Sequence, residues 1–534
     1  MQTVSPAWKR NQEKSLLGEG FVEVSLDITD EDAVEDASWG DNGANYLSNT
    51  SEVLSESEKT IVDYPTLEQN MWILDGRKSP VPVTNATKSG FVSDVLCDKN
   101  CQFGVITPII SVLFTQVHTM PIPGVTVVWS PTLGEYPTAF TVIAYNGESV
   151  VASKSVTDNT STTSIVMMDI CDYDRIDIHI NQWCLPYHRV RVETLFVGVH
   201  KVYAKGNLFG YTHEQTVDPI STALPKASIS FSVDNSDNTY NPYNEEGLSK
   251  YLMQRQEVKA RYGYKMDDGR VEWVKGGTFY LSSWKAAQNS LKAEFTARDL
   301  LEFMSAAYTD TQSSVTPRTL YELAESVLAS CDLPTTNEGE PRWIISESLK
   351  GITTTAPLPQ DTAANCLQMI ANAGCCVVYP DRDGYLHIEP TSGVQSEYAI
   401  TYKNSYTRPE VTTSKPLKQI VVKYHTYTKG TDGFTSIPTE VVTPISASGE
   451  SVVIDNPLIT DRDRALAVGE WVVNYARHRT TLDISWRPDV SMDVLDIVSA
   501  ENAFGTHSAL ITDAKYTFNG AFRGTAKGRV MQNE

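Results

Sequence analysis

The sequence has no excess of basic residues, no long apolar run and no dense set of cysteines. Its 534 residues include 44 Lys or Arg and 66 Asp or Glu, which gives a formal net charge of −22. A nucleic-acid-binding protein needs a basic face that displaces counterions from phosphate, so this charge argues against that class and against binding to an anionic membrane surface. The longest apolar stretch, residues 105–117, contains Pro108 and is shorter than the roughly 20 residues that cross a bilayer, so no membrane insertion is expected.

Cysteine occurs eight times, too sparsely for a disulfide framework in a chain of this length. The best candidate set of zinc ligands is Cys97, Cys101, Cys171 and Cys184, but its spacing matches no common zinc module, so free thiols are expected. Residues 234–238 begin like a calcium loop but lack its glycine and its closing glutamate, which favours a plain turn. Residues 1–19 lack the apolar segment of a secretory signal, so we expect synthesis in the cytoplasm.

Sequence motifs of the common catalytic centres are also missing. The chain contains no zinc-protease His-Glu-x-x-His, no Gly-x-Ser-x-Gly nucleophile elbow, no phosphate-binding loop and no dinucleotide fingerprint. No catalytic residue, cofactor or metal is therefore predicted, and the chain is not expected to be an enzyme. A pair of carboxylates that face each other across a cleft, as in a glycosidase, leaves no such motif and stays open as an alternative.

Alternating apolar and polar residues predict a mainly β fold with a small α/β domain. Strands recur about every 8–12 residues in 85–202, which predicts an inserted β-sandwich. Trp129, Trp183 and Tyr187 of this sandwich could contact carbohydrate, although a place in the core is an equal alternative. Two further strand-rich regions, 203–310 and 399–534, are predicted as barrel-like domains on either side of an α/β domain at 311–398. Asn519-Gly520 predicts a hairpin turn near the end of the chain.

Residues 1–84 are predicted as an acidic N-terminal arm followed by the first strands. The first 60 residues contain 13 Asp or Glu and 4 Lys or Arg, a net charge of −9. Such a segment is typically a solvated, partly mobile arm. The alternative is a segment that docks on a basic neighbour.

The order of several short segments resembles a family of phage tail structural proteins, the hubs of tail tips and baseplates. Residues 64–76 resemble the entry segment of that family. The segments that follow in the same order are 90–94, 186–192, 228–235, 254–258, 276–284 and 295–301, and the strands of 486–530 resemble the closing strands of the hub.

The resemblance implies a structural virion protein that forms the hub of a phage tail tip or baseplate after assembly in the host cytoplasm. In such hubs two barrel-like domains from each of three subunits close a ring around a channel. The implied partners are two further copies, a distal tail or tail tube ring protein, the tape-measure protein, and a separate spike, fibre or lysin chain, with DNA passing through the channel. The alternatives are a tail-associated enzyme that degrades the cell wall, or a receptor- or carbohydrate-binding tail protein acting through the sandwich.

The strong negative charge suggests one property of such a channel. Part of the charge is expected to line the lumen, where it would repel phosphate and let DNA pass without sticking. The alternative is that the acidic residues keep the outer surface soluble.

Overall fold

The computed structural model describes residues 2–14, 18–40, 44, 48–54, 66, 68–69, 71, 90–104, 106–287, 290–310, 316–336, 340–391, 394–430 and 433–531. Most of the segment 64–76 lies outside the described residues. The chain forms two compact units: residues 25–202 with 242–256, and residues 1–24, 203–241 and 257–534. We call the first the sandwich unit and the second the main unit. The domain divisions at residues 84, 202, 310 and 398 stay predictions.

The described residues up to Tyr203 form two short α-helices and twelve strands. In chain order these are α1 (Pro6–Gln12), β1 (Gly20–Thr29), α2 (Glu31–Asp36), β2 (Ser38–Trp39), β3 (Phe91–Leu96), β4 (Ile109–His118), β5 (Ile122–Val128), β6 (Pro137–Asn146), β7 (Ser149–Val156), β8 (Thr163–Ile170), β9 (Tyr173–Trp183), β10 (Arg189–Val192), β11 (Thr194–Phe196) and β12 (Gly198–Tyr203).

In the described residues between 204 and 310, all elements are strands apart from two short 3-10 helices. The strands are β13 (Leu208–Thr216), β14 (Lys226–Asp234), β15 (Glu257–Lys265), β16 (Val271–Ala286), β17 (Lys292–Arg298) and β18 (Ala307–Tyr308). Asn244 as an N-cap, with Glu245 and Glu246 after it, predicts the start of a short helix. That prediction is wrong, because turns occupy this segment and the 3-10 helix Ser249–Tyr251 follows. The acidic residues after Asn244 fit a helix start, but no apolar stripe of helical period follows them.

The remaining elements alternate between helices and strands. They are β19 (Arg318–Thr319), α3 (Leu320–Ala329), β20 (Trp343–Ile345), β21 (Thr353–Thr354), β22 (Asp361–Thr362), α4 (Ala363–Gly374), β23 (Val377–Pro380), β24 (Leu386–Glu389), β25 (Val394–Ile400), β26 (Glu410–Thr413), β27 (Leu417–Gly430), β28 (Gly433–Pro444), β29 (Glu450–Asp455), α5 (Arg462–Ala476), β30 (Thr480–Trp486), β31 (Asp496–Asn502), β32 (Gly505–Phe518) and β33 (Phe522–Val530).

The sandwich unit has a five-stranded sheet in the order β2-β4-β9-β6-β7, a three-stranded sheet β11-β5-β8 and the pair β10-β3. Ile176, Ile178 and Ile180 on β9 are all fully buried, as their alternation with polar residues predicts. Gly147 has a φ of 58° in the turn between β6 and β7, where Asn146-Gly147 predicts a hairpin. The mainly β fold is therefore confirmed in this unit.

The main unit is organised by one long sheet in the order β1-β15-β16-β17-β14-β13-β32-β33-β30-β26, with β25 and β31 attached beside β32. The regions predicted as two barrel-like domains are thus two halves of a continuous sheet. The halves meet where β13 pairs with β32, from Tyr211 opposite Phe518 to Thr216 opposite Asp513. Gly520 has a φ of 83° in the predicted turn between β32 and β33.

The α/β region packs α3 and α4 on short strands and shares its apolar core with α5 and the sheet β28-β27-β29. The spacing of Thr319 and Glu322 predicts a capping box, which is confirmed: each side chain accepts a hydrogen bond from the other residue's backbone N–H. The sequence predicts Asp361 and Thr460 as the N-caps of the next two helices, and α4 and α5 each begin one residue later, with Thr362 and Asp461 as their N-caps. No helix within the described ranges is long and apolar enough to span a bilayer.

Candidate functional site

Buried polar and aromatic side chains fill the space beneath the β13–β32 pairing. His213 on β13 lies among the rings of Tyr262, Phe279 and Tyr516, with centroid distances of 5.3–6.2 Å. The Tyr262 hydroxyl is 2.8 Å from His213 Nδ1 and 2.7 Å from the Tyr211 hydroxyl. These residues come from both halves of the sheet, so their contacts connect one half to the other. We call this cluster, together with Arg382 and Asp493, the buried junction.

Arg382 brings the α/β region into the buried junction. Its side chain is 2% exposed and donates to Asp493 Oδ1 at 2.5 Å. It also donates to the carbonyl oxygens of Lys275, Val490 and Met492, at distances of 2.7–2.8 Å. Burial alone would raise the pKa of Asp493, but the positive charge of Arg382 and the hydrogen bonds from Gln2 and Arg382 act together to hold this pKa below its usual range. One arginine therefore fastens three separate segments of the chain.

The N-terminal segment packs on the same region instead of extending into solvent. Trp8 in α1 is fully buried, donates from Nε1 to Asp489 Oδ1 at 2.9 Å and meets Tyr264 edge-on at 5.2 Å. Ser5 caps α1 and donates its hydroxyl to Glu272 at 2.5 Å. The expectation of a solvated arm is wrong for these residues, because net charge does not reveal the contacts of a single aromatic side chain.

Acid should weaken the buried junction through His213. Burial, and next the charge of Arg382, lowers the pKa of His213 to about 3, whereas a histidine in an unfolded chain titrates near 6.5. Below about pH 6.5 the unfolded chain binds a proton that the folded protein does not. Stability should therefore fall as the pH drops toward 3, by up to about 1.4 kcal/mol per pH unit.

The variant His213→Phe isolates this effect from other titrations. We expect the wild type to lose about 2–3 kcal/mol more than the variant between pH 7.5 and pH 4.5, as measured by urea unfolding. Parallel stability curves for the two proteins would contradict the assignment.

The other side of the long sheet is polar across eight strands: the C-terminal part of β16, then β17, β14, β13, β32, β33, β30 and β26. Cross-strand register places at least 24 hydroxyl-bearing or charged side chains on this side. We call this surface the polar face. Twelve are Ser or Thr (212, 216, 228, 230, 232, 283, 296, 412, 481, 485, 517, 525), seven are Lys or Arg (226, 285, 298, 515, 523, 527, 529) and five are Asp or Glu (214, 294, 410, 483, 513).

Residues that alternate with the polar face form the core on the opposite side. Ile229, Phe231, Phe295, Tyr516 and Trp486 are among those that are nearly or fully buried. Alternation with a period of two therefore gives both halves of the sheet one buried, apolar side and one solvent-exposed, polar side.

The predicted carbohydrate contacts are largely overturned by burial. Trp129 and Trp183 are fully buried in the sandwich core, where their rings meet at 6.4 Å. Neither can present a ring face to a sugar, so that prediction is wrong for both. Tyr187 is 47% exposed, and its predicted sugar contact stays untested. Alternation within one strand cannot tell which of its two sides is covered by a second sheet.

A charged network that the sequence does not reveal explains the position of Trp183. Its Nε1 donates to Glu135 Oε2 at 3.0 Å, and His188 Nδ1 lies 3.0 Å from Glu135 Oε1. Glu68, fully buried, forms a two-pronged ion pair with Arg191. These groups lie far apart in the chain, so no local spacing identifies them.

The cysteine and calcium candidates are not brought into ligand sets. Cys97 is buried and Cys171 is exposed, and the eight thiols are free. Within the part of the chain that the structure describes, no group of three or more His, Cys, Asp or Glu side chains could hold a metal ion. The carboxylates of Asp234 and Asp237 accept hydrogen bonds from the next turn, at Ser236 and Thr239.

Comparison with known proteins finds similarity only among solved structures. No protein-family model and no curated protein matches the chain. The chain is similar to the 43 kDa tail protein of prophage MuSo2 from Shewanella oneidensis, with 13% identity and a TM-score of 0.43 over 61% of this chain and 95% of that one. It is also similar to a tail protein from Neisseria meningitidis, with 11% identity and a TM-score of 0.39 over 61% and 93% of the two chains.

A third similar structure is the prophage tail protein gp18 from Listeria monocytogenes, with 13% identity and a TM-score of 0.37 over 61% of this chain and 91% of that one. All three are tail proteins. At TM-scores below 0.5 the likeness assigns no role to any residue of this chain.

Proposed function

We propose that the protein is a structural subunit of a phage tail tip or baseplate, and that its polar face lines the channel of a ring. The continuity of the polar face across both halves of the sheet carries this proposal. A sheet side with 24 hydroxyl-bearing or charged positions is suited to contact with water over its whole width. The wall of a channel remains solvated even after the subunits have assembled.

Ring closure would use the open edges of this sheet. Edge strands carry unpaired N–H and C=O groups that readily pair with another chain. At one edge, Val411 on β26 pairs with buried Leu482, yet its own side chain is 52% exposed. A neighbouring copy would cover it, and three copies with eight strands each would build a wall of 24 strands.

In this role the protein closes the tail tube and connects it to other tail components. Its partners would be two further copies, a distal tail or tube ring protein, the tape-measure protein and a separate spike, fibre or lysin chain. The expected acidic lining is replaced by a wall of nearly balanced charge, with seven cations and five carboxylates among many hydroxyls. Such a wall gives passing DNA no continuous basic track.

Carbohydrate binding through the sandwich, the alternative function, is not favoured by the contents of the sandwich core. Burial of Trp129 and Trp183 removes two of the three aromatic side chains on which carbohydrate binding would depend. We assign the protein a mechanical role and no catalytic residue.

Association should depend on the edge formed by β26. We expect the full-length chain of 59.1 kDa to form particles of three copies, about 177 kDa, in native mass measurement. Val411→Asp should reduce the particles to monomers with an unchanged circular dichroism spectrum, because a neighbour would have to bury the added charge. Val411→Thr, which keeps the shape of the side chain, serves as the matched control. A wild-type monomer at the concentration used for assembly, or a trimeric Val411→Asp variant, would contradict the proposal.

A further inference from the structure

A groove crosses the second half of the polar face and differs in charge between its two ends. One end is lined by Tyr406, Ser485, Lys515, Thr517, Arg523 and Thr525. The other end continues over Ser485, Lys515 and Thr525 to Glu410, Asp483, Asp513 and Lys527. The two ends share residues, so they form one continuous groove.

The first end is cationic. The Arg523 side chain is exposed, and its guanidinium has no hydrogen-bond or ion-pair partner among the described residues. Lys515, opposite Thr525, pairs with Glu214 at 2.6 Å at the margin of the groove. Arg523 is therefore available to a carboxylate from outside the chain.

The second end is acidic. Cross-strand register places Glu410, Asp483, Lys527 and Asp513 in one row across β26, β30, β33 and β32. This row contains three carboxylates and a single ammonium group. A cation of an incoming ligand would be attracted to this row.

The length and wall of the groove fit an extended chain. Arg523 and Lys527 lie four residues apart on β33, which is about 13 Å along a strand. Tyr406 walls one side, because its backbone N–H donates to the Ser485 carbonyl at 2.9 Å and its hydroxyl to the Phe522 carbonyl at 3.3 Å. Its ring is 53% exposed and offers apolar contact.

We propose that this groove binds an extended polypeptide segment of a partner protein that carries an acidic and a basic residue four positions apart. The acidic residue pairs with Arg523, and the basic residue pairs with the row of Glu410, Asp483 and Asp513. Residues four apart in an extended segment project from the same side, so both can reach the groove together. The inference rests on the proposed function, because in the ring this groove faces the channel.

The same charge pattern disfavours a nucleic acid as the occupant. A polynucleotide carries a phosphate at every step, so a strand that reached Arg523 would also place phosphates against the three carboxylates. The groove therefore selects a polypeptide of mixed charge and lets DNA pass.

Fluorescence anisotropy with the full-length chain tests the proposal. The probes are labelled nine-residue peptides of Gly, Ser and Thr that contain Glu and Lys four residues apart in either order, with Glu-Glu and Lys-Lys versions and a nine-nucleotide oligothymidine as comparisons. We expect one of the two Glu/Lys peptides to bind at least tenfold more tightly than the Glu-Glu peptide and the oligonucleotide. Arg523→Glu should transfer the preference to the Lys-Lys peptide, while Lys418→Glu, at an exposed position on β27, should leave it unchanged.

Equal or tighter binding of the oligonucleotide, an unchanged preference in Arg523→Glu, or no binding of either Glu/Lys peptide would overturn the inference. Its failure can be told apart from failure of the proposed function. A chain that forms three-copy particles without the peptide preference refutes the groove alone. A monomeric chain that keeps the preference refutes the ring and leaves the groove.

Discussion

Replacing Arg382 with methionine is expected to lower the free energy of unfolding by about 3 kcal/mol, the lower end of the range for breaking a buried ion pair, because Arg382 is buried whereas Asp493 is partly exposed. The carbonyls of Lys275, Val490 and Met492 would lose a donor as well. Urea unfolding at neutral pH, followed by tryptophan fluorescence, measures the change. The expected effect is large because Arg382 fixes the α/β region to both halves of the long sheet.

Two further variants distinguish the effect of breaking the ion pair from the effect of removing a positive charge. Arg382→Met combined with Asp493→Leu removes both charges of the pair and should recover much of the lost stability. Arg270→Met breaks an exposed pair with Asp268 and should leave unfolding unchanged. If Arg382→Met behaved like Arg270→Met, the buried junction would not have the importance that we give it.

Replacing Trp8 with alanine is expected to cost about 3–5 kcal/mol, the usual range for removing a large buried aromatic side chain. The variant loses the edge-on contact with Tyr264 and the hydrogen bond to Asp489. Because α1 is a terminal element, we also expect faster cleavage by trypsin after Lys9 and Arg10. Denaturant titration and timed proteolysis together measure both effects.

The variant Trp8→Phe keeps most of the ring contact but removes the indole N–H. It should cost about 1.5–3 kcal/mol, the range for losing one hydrogen bond to a charged group, while Asp489 Oδ1 keeps its two donors from Ser491. If Trp8→Ala altered neither the unfolding midpoint nor the rate of cleavage, the N-terminal segment would be a solvated arm after all.

Local signals in the sequence predicted local structure well. The turn at Asn519-Gly520 joins β32 and β33 because glycine adopts the positive φ that a tight hairpin requires. Thr319 and Glu322 lie three residues apart, which is the spacing of a capping box. Period-two alternation identified the buried side of β9 and the mainly β class of the fold.

Long-range contacts could not be predicted in the same way. The pairing of His213 with Tyr516 joins strands about three hundred positions apart, and neither strand contains a sequence pattern that identifies its partner strand. Arg382 and Asp493 are separated by 111 positions, and a lone arginine is ordinarily exposed. The polar face became visible only when the register of eight strands was known, since each strand alone shows ordinary alternation.

An electron cryomicroscopy map of the assembled full-length protein would locate the polar face in the particle. We predict three copies around one axis, with β26 of each copy at a subunit boundary. We also predict that Thr212, Lys515 and Thr525 of the polar face point into the channel. A ring whose polar face points outward, or an assembly in which another surface lines the channel, would overturn the proposed function.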